Sequence, residues 1–273
     1  MSDNLQPRGS DDTTFAQPLL TPIKRRSFFM YAGATAGATA LVLAGCSKDS
    51  NNATPSASLV SVGTGDVAVL NYAYGLEQLE AAFYTMVRSG SYYGGLGANT
   101  AEKQILDDLY YHEVIHREFF KAALGSNAIG TLNLNATVVA STLTTRDVIL
   151  KNAEMFEDLG VAAYNGAGKY LTNPDYLTVA GKIVSVEARH AAAIRDIRES
   201  LGVSGGDATG TRFGGDSVVI ASGANAGLDV KLEPSAVAGR VISVGIVSDS
   251  LSIGTQPPTK AGTPDFGPPS PTP

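Results

Sequence analysis

Glu113-Val114-Ile115-His116 and Glu187-Ala188-Arg189-His190 are two copies of Glu-x-x-His in one chain of 273 residues. The chain has only 3 histidines, and these segments hold two of them. Residues three apart on a helix share a face, so each carboxylate and imidazole can reach the same point. The neighbours show where that face is directed. Ala180, Ile183, Val184, Ala191, Ile194 and Ile197 share the stripe of the second segment, and Leu106, Leu109, Tyr110 and Phe120 that of the first. Both charged pairs therefore aim into apolar surroundings, where an unpaired carboxylate costs several kcal/mol. A divalent cation would neutralise them.

Working outward, helical periodicity places these segments on the second and fourth of four helices. The first runs from Asp66 to about Arg88, with Val67, Leu70, Ala73, Leu76, Phe83, Tyr84 and Val87 on its apolar face. The second starts near Asn99, read as an N-cap with Glu102 three residues on, and stops at Gly125. The third spans about Thr145 to Tyr170. Asn173-Pro174 opens the fourth, which reaches about Ser200 before Gly202. Residues 125–143 show no helical face and are too long for a hairpin turn. The expected fold is all-α, a four-helix bundle with one long crossover between helices two and three.

A dinuclear carboxylate site on such a bundle needs one more glutamate from each of the other two helices. Helix one offers Glu77 and Glu80. Glu80 shares the stripe of Ala73, Leu76, Phe83, Tyr84 and Val87, so it is the expected ligand, with Glu77 in support beside it. Helix three offers Glu154 and Glu157. Glu154 lies with Asp147, Lys151 and Asp158 on a solvated stripe, whereas Glu157 lies with Leu150, Ala153, Gly160, Val161 and Tyr164. The expected ligands are Glu80, Glu113, His116, Glu157, Glu187 and His190. Four carboxylates balance two divalent ions, and this donor mix suits iron or manganese; zinc would also bind. His112 has no glutamate three residues before it and is read as supporting or superficial. Tyr84 and Tyr164 are read as core aromatics within reach of the metals.

With these residues in place, the chain resembles the ferritin-like superfamily of di-iron proteins. Leu76-Glu77-Gln78-Leu79-Glu80-Ala81-Ala82-Phe83-Tyr84 and Phe156-Glu157-Asp158-Leu159-Gly160-Val161-Ala162-Ala163-Tyr164 resemble more narrowly the secreted ferritin-like proteins grouped with plant desiccation-related proteins. The resemblance implies ferrous iron oxidation, peroxide removal or oxygenation. The competing expectation is a non-catalytic scaffold linked to desiccation or stress tolerance.

The N-terminus has a different character. Lys24-Arg25-Arg26-Ser27-Phe28-Phe29 precedes an Ala- and Gly-rich apolar run that ends at Leu43-Ala44-Gly45-Cys46. This reads as a signal peptide over residues 1–45, resembling a twin-arginine export signal and a bacterial lipobox. Cys46, the only cysteine, would then carry the lipid and attach the protein to a membrane of the cell envelope. Residues 46–62 read as a tether and 63–202 as the bundle. Residues 203–256 read as an irregular or partly β extension, in which Ser217–Ile220 and Arg240–Val247 could be strands. Residues 257–273, rich in proline, read as a disordered tail. A single cysteine excludes a disulfide framework or a Cys-rich zinc site, and a net charge of −6 argues against nucleic acid as partner. A lipid, a tether and a long extension also argue for a monomer or small homo-oligomer over a closed storage cage.

Overall fold

The computed structural model describes residues 59–200, 218–220, 222–247 and 250–252. The expected signal peptide, Cys46, most of the tether, Gly202 and the proline-rich tail lie outside those residues. Seven helices follow in chain order among the described residues: α1 (Gly65–Ser89), α2 (Ser91–Gly95), α3 (Ala101–Leu124), α4 (Ala136–Ser141), α5 (Arg146–Ala167), α6 (Pro174–Ser200) and α7 (Pro234–Val244). Two short strands, β1 (Leu59–Ser61) and β2 (Ser250–Ser252), pair in parallel with Val60 opposite Leu251.

The four long helices are the expected ones. α1 packs chiefly on α3, and α5 chiefly on α6, so the chain forms two helical hairpins. α1 also meets α5, and α3 meets α6, which closes the bundle. Local chemistry sets the ends. The Thr100 hydroxyl accepts from Lys103 N and the Thr145 hydroxyl from Val148 N, while Asn173 Oδ1 accepts from Asp175 N. Thr100, not Asn99, therefore caps α3. Glu102 is drawn away from capping by Arg146, whose Nε and Nη2 reach its two oxygens at 2.7 and 2.9 Å. Gly125 closes α3 at φ +54°, a conformation that glycine adopts without strain. Asp66, in the first turn of α1, accepts from Thr172 N and Asn173 N, which ties the start of α1 to the start of α6.

The crossover is more ordered than its sequence implies, because α4 lies inside the stretch expected to lack helix. Two buried amides on one face of α1 hold it. Asn71 donates to Val62 O and Asn127 O and accepts from Ile129 N; Gln78 donates to Gly130 O and accepts from Leu132 N. These side chains satisfy main-chain groups that a loop packed on a helix would otherwise bury unpaired.

The extension departs further from expectation. Residues 240–244 belong to α7 and are not a strand; only Val247 bridges back, to Leu134. Pro234 begins α7 and Gly245 ends it at φ +70°. Val237 is fully buried on the side of α1 and α5, and that burial outweighs the strand preference of the valines and isoleucine. Val219 forms an isolated antiparallel bridge with Asp229. The body also begins before residue 63, since β1 forms within the expected tether and Val62 is buried.

Two apolar clusters stack along the bundle. One holds Phe83, Tyr84, Leu106, Leu109, Phe156 and Ile194; the other holds Leu70, Tyr74, Phe120, Leu124, Tyr164 and Ile183. On each long helix the candidate ligands fall between these two groups of positions, so the site lies at mid-height with apolar packing on both sides.

Candidate metal centre

Seven ionisable side chains meet at mid-height, all buried: Glu77, Glu80, Glu113, His116, Glu157, Glu187 and His190. His116 Nδ1 lies 3.0 Å from Glu187 Oε1, 3.4 Å from Glu77 Oε2 and 3.5 Å from Glu113 Oε2. His190 Nδ1 lies 2.9 Å from Glu113 Oε1, 3.1 Å from Glu157 Oε2 and 3.7 Å from Glu187 Oε2. The donor atoms form two overlapping sets, Glu77–Glu113–His116–Glu187 and Glu113–Glu157–Glu187–His190. Glu113 and Glu187 belong to both, which is where two ions would share bridging carboxylates.

Hydrogen bonds reach only part of this cluster, through His190 and Tyr84 on Glu157 and Tyr164 on Glu77. Both oxygens of Glu113, both of Glu187, Glu77 Oε2 and His116 Nδ1 are buried without a hydrogen-bond partner. Buried polar atoms left in this state are costly, and a cation at their common focus would satisfy them together. Oxygen and imidazole donors fit iron or manganese.

The structure brings all six expected residues into one buried cluster with Glu77; five of the six fall in the two donor sets. On α1, Glu77 enters a donor set and Glu80 enters neither. The Glu80 carboxylate lies instead above Gly160, where a Cβ would stand 3.1 Å from its Oε1. On α5, Glu157 points into the cluster, while Glu154 is paired with Arg198 and lies 3.7 Å from Arg195 Nε.

One signal in the sequence would have found Glu77. Glu77 precedes Tyr84 by seven residues, and Glu157 precedes Tyr164 by seven. The structure crosses these pairs: Tyr84 on α1 donates to Glu157 on α5 at 2.5 Å, and Tyr164 on α5 donates to Glu77 on α1. The two hairpins thus contribute matching parts, Glu and Tyr from one helix and Glu-x-x-His from the other. The match breaks twice. Gly160 stands where Glu80 stands in the first half, and Val186 where His112 stands. His112 Nδ1 lies 2.9 Å from His190 Nε2 with the rings stacked, so His190 has an orienting partner on the side away from the cluster.

The electrostatics of the metal-free cluster follow from burial. Burial pushes the Glu77 carboxyl up to about 8, and pushes Glu80 and Glu157 well above the usual carboxylate range. Glu187 is the exception. Burial raises it, but His116 and His190 outweigh burial and hold it at about 2. Burial opposes charge on His190, yet Glu157, Glu113 and Glu187 together lift it to about 12, and His116 is raised in the same way. Burial, with His190 and His116 beside it, lowers His112.

The sign for stability is set by Glu77, Glu80, Glu157 and the two raised histidines. A folded-state pKa above the unfolded value stabilises at low pH and loses that contribution as pH rises through the folded value. For Glu77 the loss runs from about 4.5 to about 8. Metal binding needs the deprotonated donors and strengthens over the same range. The metal-free protein is therefore expected to melt at a falling temperature from pH 5.5 to 8.5, and the gap to the metal-loaded protein to widen. Paired melting curves with and without chelator at both pH values check this.

A helical bundle with a long crossover and a buried carboxylate–imidazole cluster defines a class of helical proteins whose cores could hold metal ions. The family of the ferritin-like domain matches residues 65–200, which span α1 to α6, and the chain belongs to the ferritin-like superfamily. No curated protein matches the chain at a significant level.

Proposed function

We propose that this chain is an exported, lipid-anchored protein whose ferritin-like domain holds two divalent metal ions, iron in first place and manganese as the alternative. The centre serves to oxidise ferrous iron or to remove peroxide at the cell envelope. The observation that carries this reading is the pair of donor sets sharing Glu113 and Glu187, whose buried oxygens have no hydrogen-bond partner. Glu77 and His116 would hold one ion, Glu157 and His190 the other. Two ferrous ions there would supply two electrons, which with two protons reduce one peroxide to two waters.

The protein's own groups prepare the site. Tyr84 and Tyr164 fix one oxygen each of Glu157 and Glu77, leaving the other oxygen to face the centre. His112 fixes the ring of His190. Gly160 leaves the space that the Glu80 carboxylate fills. The apolar clusters above and below keep bulk water from the donors.

Export and attachment rest on the Arg25-Arg26 pair and on Leu43-Ala44-Gly45-Cys46. The membrane is then the one partner, with no nucleic acid, and the protein works as a monomer or small homo-oligomer. The test is metal analysis of the purified full-length protein, followed by oxygen consumption on adding ferrous iron. Bound metal and uptake of oxygen are expected. A protein that takes up no metal and melts identically with and without chelator would be a scaffold for stress tolerance instead. In the same preparation, Cys46→Ser should leave the membrane fraction; a variant that stays there removes the lipid anchor from this account.

A further inference from the structure

A second feature of the bundle lies one helical turn from the centre. A cavity opens at one end between α1, α3, α5 and α6. Half-buried Phe119 and Ala180 stand at its mouth, and buried Ala73, Leu76, Phe120 and Tyr164 form its deep end. Ala73 is one turn before Glu77, and Phe120 one turn after His116. The Tyr164 ring separates cavity from centre, and its hydroxyl donates to Glu77 on the far side. The cavity thus abuts the Glu77–His116 half of the site and not the Glu157–His190 half.

Two properties select what can occupy it. Its lining is almost wholly aliphatic and aromatic, so it offers nearly no hydrogen bonds to a guest. A hydrated ferrous ion or a peroxide would lose its water contacts on entry and recover almost none of them. Its free volume is about 20 Å³, against the roughly 10–15 Å³ that one water needs, so only a molecule of a few heavy atoms fits. Apolar cavities of this kind stay dry and take up nonpolar gases.

We infer that this cavity is a gas-binding site that holds dioxygen beside the Glu77–His116 half of the centre. The inference rests on the proposed metal centre and gives dioxygen a place of its own beside it. Peroxide and cations must reach the donors by another path, so cavity variants separate the oxidants.

The test has a readout that needs no metal. Crystals of the full chain pressurised with xenon should show an atom between Ala73, Phe120 and Tyr164. Ala73→Leu, deep in the cavity, and Ala180→Phe, at its mouth, should remove that atom. In metal-loaded protein both variants should slow the reaction with dissolved oxygen by about tenfold while leaving the reaction with hydrogen peroxide unchanged. Metal content is measured on the same samples. Absence of xenon from the wild type overturns the gas site and leaves the metal reading standing. Wild-type oxygen rates in both variants, with metal retained, do the same. Fully loaded wild-type protein that reacts with neither oxidant overturns the proposed function, and the substrate role of the cavity with it. The two variants differ in depth, so a folding defect in Ala73→Leu leaves Ala180→Phe to decide.

Discussion

Glu187→Gln is expected to empty both metal positions at once, and Glu113→Gln to do the same. Each residue belongs to both donor sets, so its loss takes a donor from each. Glu77→Gln is expected to weaken only the position it shares with His116, and Glu80→Gln neither position. Glutamine keeps the volume of glutamate, so no cavity complicates the reading. Metal per chain, measured after dialysis against a fixed free-metal level, orders the four variants. Stability should follow the same order. An ion held at a hundred times its dissociation constant stabilises the fold by about 2.7 kcal/mol. At roughly 2–4 °C per kcal/mol for a domain of this size, losing it lowers the melting temperature by about 5–11 °C. A Glu80→Gln protein that loses metal while Glu77→Gln keeps it would reassign the α1 ligand.

Gly166→Ala is expected to destabilise the protein although it replaces a glycine inside a helix. Alanine in a helix is ordinarily the better residue by about 0.5–1 kcal/mol. Here its Cβ would fall 1.8 Å from Leu232 O and 2.6 Å from Leu232 C. These are main-chain atoms and cannot turn aside as a side chain would. The segment from 230 to 233 must lift from α5. That breaks Leu232 N to Ala162 O at 2.9 Å and Asn165 Nδ2 to Val230 O at 3.2 Å, and strains the grip of Lys169 and Tyr170 on Glu233. Overpacking of this kind costs about 1–3 kcal/mol, which outweighs the helix gain. Gly239→Ala is the control, because a Cβ there meets nothing within 4 Å. It should raise stability by up to about 1 kcal/mol. Limited proteolysis should cut Gly166→Ala in the extension sooner than wild type, with metal content unchanged. Equal stability of the two variants would show that α7 and its lead-in do not bear on the bundle.

Periodicity along the chain settled what depends on spacing alone. Four long helices, two hairpins and one long connection follow from where apolar residues recur and where Gly, Pro and Asn interrupt them. Glu113–His116 and Glu187–His190 were legible because a spacing of three fixes a shared face whatever the helices pack against. Glu157 was legible against Glu154 because their stripes differ in polarity, and the structure gives Glu154 to Arg195 and Arg198 instead. Glu77 and Glu80 could not be separated in that way. They lie three apart on α1, both buried, and either could face inward. The choice was made across the bundle, by Tyr164 reaching Glu77 and by Gly160 opening space for Glu80. The same reason applies to Val241, within the segment expected to be a strand, which yielded to a helix once α1 and α5 offered a surface to pack against. It applies again to Asn71 and Gln78, which reach partners more than fifty residues away on the crossover. The sequence by itself determined the helices and the faces they present, because those depend on neighbours within a turn. Apart from the shared Glu-to-Tyr spacing of seven, nothing local separates Glu77 from Glu80; the tertiary structure decided which of them joins the donor sets, since that depends on the rotation of one helix against another and on atoms missing from a glycine on the opposite side.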